Sequence, residues 1–372
     1  MTFIDIHVLQ TVPPSNLNRD DTGNPKSAVY GGVTRSRVSS QAWKRAVRMA
    51  VKERLDPSEV GVRTLRIVQL LSDRIVDKTH KAIEATTADE LAAEAFKTLG
   101  IKLEKPRTKK GEEVARDEQL ERSQYLIFLS AGQIDALADL VIAAHESGAK
   151  LTRSDVKAAA QQANSIDVAM FGRMVADDGE LNVDAAVQVA HAISVHAVEP
   201  EFDYFTAVDD KNVDDQGAGM IGTVAFNSAT LYRYATINVD GLTRNLGSVK
   251  AARRAVQEFT RAFVTSMPTG KQNTFANRTL PHAVVAMVRQ DQPVNLAGAF
   301  EVPVAGDQRV AAACTALAEH ADALATAFSA VPDQVFVVGA GQETEALASL
   351  GSARTLDEMV ADLADVVPEE SA

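Results

Sequence analysis

The hydrophobic pattern changes twice along this chain of 372 residues, and the order of the changes limits the possible folds. Residues 3–11 mix apolar and polar side chains in the manner of a largely buried strand. Residues of about 58–165 have mostly helical periodicity, whereas strand-type segments rich in Phe, Tyr, Thr, Val and Ile return after residue 200. The order predicts an α+β fold in which the first strand pairs with the later ones. The helical block is then an insertion.

Periodicity and turn residues place the individual elements. The predicted helices cover residues 40–54, 60–78, 87–98, 116–129, 131–145, 154–164, 183–196, 248–267 and 307–329. The predicted later strands cover residues 202–208, 222–239, 282–289 and 334–338. Because the polar, glycine-bearing residues 209–219 lie between the first two of these strands, the pair is predicted to form a long hairpin arm.

The charge of the chain is unevenly distributed. The net charge is −12, yet the segment from Lys26 to Arg54 contains eight Lys/Arg and a single acid, Glu53. That segment therefore carries +7, and the rest of the chain carries −19. One basic segment in an otherwise acidic protein is the charge pattern expected for a local polyanion-binding surface.

The composition argues against two other classes of protein. No apolar run approaches the roughly 18 residues of a membrane span, so no membrane partner is expected. The N-terminus lacks a basic segment followed by an apolar stretch, which predicts a cytoplasmic protein. The only cysteine, Cys314, has no partner for an internal disulfide and no nearby His or Cys for a metal site.

Most of the basic residues lie on one predicted helix, residues 40–54. At about 100° per residue, Trp43 and four small or branched apolar residues fall on one face. The opposite face carries polar and cationic side chains, namely Gln41, Lys44, Arg45, Arg48 and Lys52. Ser39 or Ser40 is a suitable N-cap.

The cationic face suits a phosphate chain. Its cations are one helical turn, roughly 5.4 Å, apart, and they would hold a strand without reading its bases. The N-terminus of the helix adds backbone N–H groups for a further phosphate. A solvated surface helix has the same pattern, but the upstream cations Lys26, Arg35 and Arg37 favour nucleic acid over that alternative.

Short motifs spread from the first loop to beyond residue 270 resemble those of one family. They are Leu17-Asn18-Arg19-Asp20-Asp21, Gly31-Gly32, Arg37-Val38-Ser39-Ser40-Gln41, Lys44-Arg45-Ala46, Gly172-Arg173-Met174, His191-Ala192-Ile193, the run from Asp203 to Asp210, Tyr232-Arg233-Tyr234-Ala235 and Gly270-Lys271-Gln272. In this order they resemble the CasC-type backbone subunit of type I-E CRISPR surveillance complexes (Cascade), guide-RNA-binding proteins of the RAMP superfamily. The resemblance is weakest over residues 58–160 and 295–372.

The resemblance implies a hand-like fold and an assembly. A palm of modified ferredoxin-like, RNA-recognition type would comprise residues 1–57 and 171–372. The helical finger domain would be residues 58–170, and a β-hairpin thumb would cover about 198–228. Copies of the chain would stack head to tail along the guide (CRISPR) RNA, together with other Cascade subunits. They would kink the guide at regular intervals and present its bases for pairing with target DNA.

The resemblance also implies the roles of individual residues. The implied contacts to the guide backbone are Arg19, Lys26, Ser39, Gln41, Lys44, Arg45 and Arg48, and Arg35, Arg37 and Lys271 complete the predicted set. Met174 would wedge against a base at the kink. Tyr204, Phe205 and Thr206 would lie on the thumb beside the displaced nucleotide, with Tyr204 standing where the family motif has Trp.

A second basic cluster lies in the predicted finger domain. It consists of Lys102, Lys105, Arg107, Lys109 and Lys110, in a loop that contains Pro and Gly. The last four are candidate contacts to target DNA, because the family uses basic finger surfaces in this way. An ordinary solvated loop is the alternative.

Enzyme functions have little support in the sequence. Asp20 and Asp21 are candidates for an RNA-cleaving site, because related backbone subunits cleave bound RNA with a loop aspartate. Adjacent carboxylates in a loop rich in Pro and Asn are more often turn-forming. His191 and His196 lack the spacing of helical metal ligands, and Gly270-Lys271 lacks the earlier glycine of a P-loop. We therefore expect a non-catalytic protein without a metal or cofactor.

Overall fold

The computed structural model describes residues 1–106, 115–162, 164–208 and 218–369. The chain forms two compact units. The first comprises residues 1–51, 187–240 and the chain from Val256 onward, and the second comprises residues 52–186 and 241–255. The assignment of residues 1–57, 58–170 and 171–372 to palm and finger stays a prediction about domain roles.

The described residues contain strands and helices in alternating groups. The strands are β1 (Phe3–Ser15), β2 (Ser27–Tyr30), β3 (Val33–Val38), β4 (Gly61–Thr64), β5 (Leu103–Glu104), β6 (Arg122–Ser123), β7 (Ile127–Ser130), β8 (Val187–Val189), β9 (Ala192–Ser194), β10 (Glu201–Val208), β11 (Ala218–Asn238), β12 (Ala283–Arg289), β13 (Gln334–Gly339) and β14 (Ser352–Ala353). The α-helices are α1 (Ser40–Arg54), α2 (Ile67–Lys78), α3 (Ala85–Leu99), α4 (Arg116–Gln119), α5 (Ala131–Ser147), α6 (Arg153–Ala160), α7 (Ile166–Phe171), α8 (Val239–Leu246), α9 (Val249–Thr265), α10 (Gln272–Phe275), α11 (Arg309–Phe328) and α12 (Leu356–Asp365).

One large sheet organises the first unit. Its strand order is β14-β13-β12-β1-β11-β9-β3-β2, and β8 and β10 also pair with β11. The N-terminal strand β1 is central, because Phe3 pairs with Asn238 on one side and with Arg289 on the other. The prediction of an α+β fold in which the first strand joins the later ones is confirmed.

Successive side chains of β11 point to opposite faces of the sheet and pack against different helices. Tyr232 and Tyr234 belong to a hydrophobic cluster that contains Cys314 and Leu317 of α11. Arg233 points the other way, and its guanidinium lies over the ring of Trp43 in α1. The sheet is therefore covered on both faces, and the basic helix α1 lies on the Arg233 side.

The N-terminal half of β11 extends into a hairpin with β10. The two strands pair from Glu201, opposite Phe226, to Val208, opposite Ala218. The predicted hairpin arm is present in the described residues. Its polar tip is predicted at residues 209–219, of which 218 and 219 belong to β11 and residues 209–217 lie outside the described residues.

The second unit is mostly helical and has its own core. Helices α2, α3, α5 and α6 contribute buried residues to one hydrophobic cluster, including Leu71, Phe96, Leu137 and Val156. Two small antiparallel sheets, β4 with β7 and β5 with β6, accompany these helices.

Three predicted helices are wrong in whole or in part. Residues 183–196 form β8 and β9, because both strands find partners on β11. Of residues 116–129, only the first turn is helical, and the rest contributes β6 and β7. Residues 61–64 form β4, which pairs with β7, so the predicted helix at 60–78 begins only at Ile67. In each case a long-range strand partner outweighs a local helical pattern.

Candidate nucleic-acid interface

Helix α1 is amphipathic, and its two faces have different surroundings. Trp43, Val47 and Val51 are fully buried, whereas Gln41 and Arg45 are exposed. The Oγ of Ser39 accepts a hydrogen bond from the backbone N–H of Ala42 (3.2 Å), so Ser39 caps the helix. The predicted helix bounds and the predicted cap both match the structure.

Lys44 is the most unusual cation on this face. Its side chain is half-buried, and burial lowers the pKa of its ammonium group. Within the described part of the chain, its Nζ has neither a hydrogen bond nor an ion pair. A partly desolvated cation without a counter-ion is a favourable contact for an anion. Arg48, one turn further on, is partly buried and has a contact within the protein.

A buried arginine supports α1 from below. The Arg233 guanidinium carbon lies 3.8 Å from the centre of the Trp43 ring and 4.7 Å from that of Phe263. Its Nη1 donates to Gln10 Oε1 (2.5 Å), and its Nη2 donates to the carbonyl of Phe263. Burial lowers the pKa of Arg233 to about 9. The sequence gives no sign of this role, because Arg233 lies nearly two hundred residues after Trp43.

The loop before β2 is held against the start of α1 by Asn18. The backbone N–H of Ser39 donates to Asn18 Oδ1 (2.9 Å), and the N–H of Lys26 donates to the Asn18 carbonyl (2.8 Å). The N–H of Arg37 donates to the Lys26 carbonyl (2.9 Å). These bonds bring together Lys26, Arg37 and Ser39, three of the predicted contact residues.

Asp20 has a structural role in this loop. Its Oδ1 accepts from the Thr22 hydroxyl (2.7 Å) and from the backbone N–H groups of Thr22 (3.0 Å) and Asn24 (2.9 Å). The hydroxyl of Thr22 is the main cause that lowers the pKa of Asp20. Asp21 is exposed. The Asp20 bonds are those of a turn-forming aspartate.

Exposed Arg19 lines a shallow cleft between the first loop and Gly270. The cleft, about 460 Å³ in volume, is lined by residues 17–21, Gly23 and Gly270. A Cβ atom at Gly270 would collide with the carbonyl oxygen of Leu17, so glycine is needed there for the two segments to touch. This approach places Lys271 next to the loop.

Arg37 and His191 meet at the first turn of α1. The Arg37 Nε donates to the carbonyl of Ser27 (3.1 Å), and its Nη1 lies 3.4 Å from His191 Nδ1. The same Nδ1 lies 3.3 Å from the backbone nitrogen of Ser40. Partial burial and the positive charges of Arg37 and Lys26 lower the pKa of His191. His191 was not among the predicted contact residues.

Arg35 does not lie on the surface and is removed from the predicted contact set. Its guanidinium is fully buried and donates to four backbone carbonyls, those of Tyr30, Ser194, Phe300 and Glu301. Because every donor group points inward, Arg35 joins the β2–β3 hairpin to the rest of the first unit.

In the second unit, Met174 is presented on a rigid base. Arg173 is buried and donates to the carbonyl of Leu181 (2.7 Å) and to Gln133 Oε1 (2.8 Å), and burial lowers its pKa to about 10. Gly172 has φ +76°, and a Cβ there would lie 2.8 Å from the carbonyl oxygen of Val183. Met174 itself is 78% exposed. An apolar side chain so exposed on a fixed backbone is available to a ligand.

The hairpin carries apolar side chains on both of its faces. Register places Tyr204 opposite Thr223 and Thr206 opposite Ile221, so these four share one face. Tyr204 and Ile221 are 63% and 60% exposed. Phe205 lies on the other face, with its ring against Gly222.

The predicted DNA-binding loop is described only in part. Lys102 has a backbone bond to Asp177 Oδ2 (3.1 Å), and Lys105 lies at a cleft that also contains Glu90 and Glu94. Arg107, Lys109 and Lys110 lie outside the described residues.

Two kinds of site are absent from the described residues as a whole. Among them, no group of three or more His, Cys, Asp or Glu side chains is placed to hold a metal ion. Nor do they include a helix that is long and apolar enough to cross a membrane.

These features define an α+β protein with a basic helix on one unit and exposed apolar residues on a hairpin. The family described as CT1975-like protein (Cas_CT1975) matches residues 4–362, and the chain belongs to this family. No curated protein matches the chain.

Two solved structures are similar over nearly the whole chain. One is a chain of a "CRISPR RNA-guided surveillance complex, pre-nicking", with 37% identity and a TM-score of 0.82 over 97% of this chain and all of that one. Another belongs to a "CRISPR RNA-guided surveillance complex", with 33% identity and a TM-score of 0.73 over 97% of this chain and 99% of that one.

Proposed function

We propose that this protein is a non-catalytic backbone subunit of a type I-E CRISPR surveillance complex and binds the sugar-phosphate backbone of the guide RNA. Copies polymerise head to tail along the guide, beside other Cascade subunits, in the cytoplasm. The large sheet serves as the palm, of modified ferredoxin-like type, the helical unit as the finger and the β10–β11 hairpin as the thumb.

The observation that carries the proposal is the basic surface around α1. Lys44 is half-buried without a counter-ion in the described residues, and Arg45 and Gln41 are exposed beside it. The Asn18 bonds hold Lys26, Arg37 and Ser39 at the start of the same helix. In a chain of net charge −12, this is where a polyanion finds local positive potential. The similarity to chains of RNA-guided complexes supports the choice of guide RNA as that polyanion.

A salt titration of RNA binding tests this surface. Replacing Lys44 and Arg45 by Ala should weaken binding of any guide sequence equally, because phosphate contacts read no bases. It should also lower the slope of log K against log salt by about 0.7 for each lost contact with a single strand. The matched control is Lys150→Ala, which removes an exposed cation of the second unit. An unchanged slope in the double variant would show that the helix face is merely solvated.

The exposed apolar groups support a role in shaping the guide. Met174, on its fixed backbone, is suited to wedge against a base at each kink. Tyr204 and Thr206 share a hairpin face, where they would lie beside the displaced nucleotide, and Phe205 would contact it or a neighbouring copy from the other face. The bases between kinks stay free to pair with target DNA. Lys105, Arg107, Lys109 and Lys110 remain candidate contacts to that DNA.

The alternative function is an RNA-cleaving relative that uses Asp20 or Asp21. The hydrogen bonds from Thr22 and Asn24 to Asp20 favour a structural role for Asp20. Because Asp21 is exposed, its substitution is the more informative test of cleavage. The assembled protein is incubated with guide, complementary target RNA and a divalent metal ion. Regularly spaced cuts that Asp21→Ala or Asp20→Ala abolishes, while Lys150→Ala does not, would favour the enzyme. Intact target RNA supports the non-catalytic function.

A further inference from the structure

His191 lies beside Arg37 and Ser40 in the proposed RNA surface, although it is not one of the predicted contact residues. It is the second of the two residues between β8 and β9, and it is exposed. Its Nδ1 lies 3.4 Å from the Nη1 of Arg37 and 3.3 Å from the backbone nitrogen of Ser40. Arg37 and Ser40 flank Ser39, the cap of α1.

The two neighbours of Nδ1 determine the tautomer of the ring. A guanidinium and a backbone N–H are both donors and cannot accept. Nδ1 must therefore be the unprotonated acceptor, and the proton lies on Nε2. Partial burial and the positive charges of Arg37 and Lys26 act in the same direction, because they lower the pKa of His191 and favour the neutral imidazole.

We propose that His191 is a positioning residue of the RNA-binding surface, whose Nδ1 holds the Arg37 guanidinium beside the first turn of α1. The inference rests on the proposed function. Arg37 has its Nε on the Ser27 carbonyl and its Nη1 on His191, so its remaining Nη2 is directed from a fixed guanidinium plane. A guanidinium group that is already held in place loses less side-chain entropy when it binds a phosphate than that of a free arginine does. Ser40 N–H, bound to the same nitrogen, ties that plane to the helix.

Two isosteric variants separate this role from a direct contact of the ring with RNA. Asn at position 191 offers an acceptor oxygen at the level of Nδ1 and has no group at the level of Nε2. Gln at position 191 offers an amide nitrogen at the level of Nε2 and leaves the Nδ1 position without an acceptor. If His191 acts through Arg37, His191→Asn preserves the function and His191→Gln does not.

The measurement is the salt dependence of guide RNA binding by the full-length protein. For His191→Gln we expect a loss of affinity of about tenfold and a slope smaller by about 0.7, as for one lost phosphate contact. Arg37→Ala should have the same effect, and the His191→Gln/Arg37→Ala double variant should lose nothing further. His191→Asn should keep the slope of the wild type. A salt slope that is retained in His191→Gln but reduced in His191→Asn would overturn the proposal in favour of a direct contact of the ring with RNA. Additive losses of affinity in the double variant would overturn it as well.

A second measurement does not need RNA. In the RNA-free protein labelled with ¹⁵N-histidine, the His191 signal, assigned by its absence in His191→Asn, should show unprotonated Nδ1 and protonated Nε2. A proton on Nδ1 at neutral pH would overturn the proposal whether or not the protein binds RNA. If Lys44→Ala/Arg45→Ala leaves RNA binding unchanged while the expected tautomer is seen, the proposed function fails and the Arg37–His191 contact stands as a structural one.

Discussion

At the scale of single residues, the basic surface depends on side chains that are not themselves on it. Arg233 is buried between Trp43 and Phe263, with Gln10 Oε1 and a backbone carbonyl as acceptors. Neither acceptor is a carboxylate, so cation–π contacts and two hydrogen bonds compensate for its desolvation. The contact of the Trp43 ring with this guanidinium attaches α1 to β11.

Replacing Arg233 by Met tests this support. The variant fills a similar volume but leaves Gln10 Oε1 and the Phe263 carbonyl without their donor, and it removes the cation under Trp43. We expect the free energy of unfolding to fall by about 2 kcal/mol. Urea unfolding followed by the fluorescence of Trp43, the only tryptophan, measures the change. Arg309→Ala, at an exposed position, is the control, and equal stability of Arg233→Met and the control would contradict this role.

At the scale of elements, the β10–β11 hairpin is built from only two strands along its outer part. A two-stranded hairpin is at most marginally stable in water by itself. Its face nevertheless exposes Phe202, Tyr204 and Ile221, at 67%, 63% and 60%. Apolar groups in register on one exposed face are typical of a surface that a partner covers. The guide RNA and the next copy of the chain are the partners that we propose.

The combined substitution of Tyr204 and Ile221 by Ser tests the hairpin. Because both side chains are exposed, the unfolding midpoint of the isolated protein should stay within a few degrees of the wild type. On a guide RNA, the number of bound copies measured by native mass spectrometry should fall, because each copy loses the face that covers the next site. Phe328→Ser removes another exposed aromatic ring, outside the hairpin, and serves as the control. An unchanged copy number in the Tyr204/Ile221 variant would count against the thumb.

The sequence predicts elements well where local pattern and tertiary environment agree. Helix α1 has the predicted bounds, because its cap, its apolar stripe and its charges all favour the same helix. The prediction is wrong at residues 183–196, where β8 and β9 are strands only because β11 lies beside them. It is also wrong for the location of Arg35, since the carbonyls that surround this side chain come from residues as far away as Phe300 and Glu301. Charge can be read from a sequence, but burial by distant segments cannot.

At the scale of the whole molecule, the basic surface and the exposed apolar groups lie on a body that is otherwise acidic. The acidic body would keep copies apart in solution. If the proposed function is correct, neutralisation of each basic surface by one RNA strand would gather the copies on that strand. Assembly should then depend on the guide.

The protein purified from cells that express a CRISPR array should therefore carry a discrete RNA of about 60 nucleotides. A single RNA-binding module covers only about 4–16 nucleotides, so such a length requires several copies. The mass of the complex gives their number, and nuclease digestion of the RNA should release single chains. A complex of one chain with one RNA would contradict the polymerising subunit.

The central position of β1 has a consequence for how the protein is made. Phe3 is synthesised before its partners Asn238 and Arg289, which follow hundreds of residues later. The Arg233 that supports Trp43 also follows long after α1. Contacts so distant in sequence make folding slow, and they cannot form on a short nascent chain. The basic helix therefore acquires its support only late in translation, so an unfinished chain would not yet hold the proposed RNA surface in place.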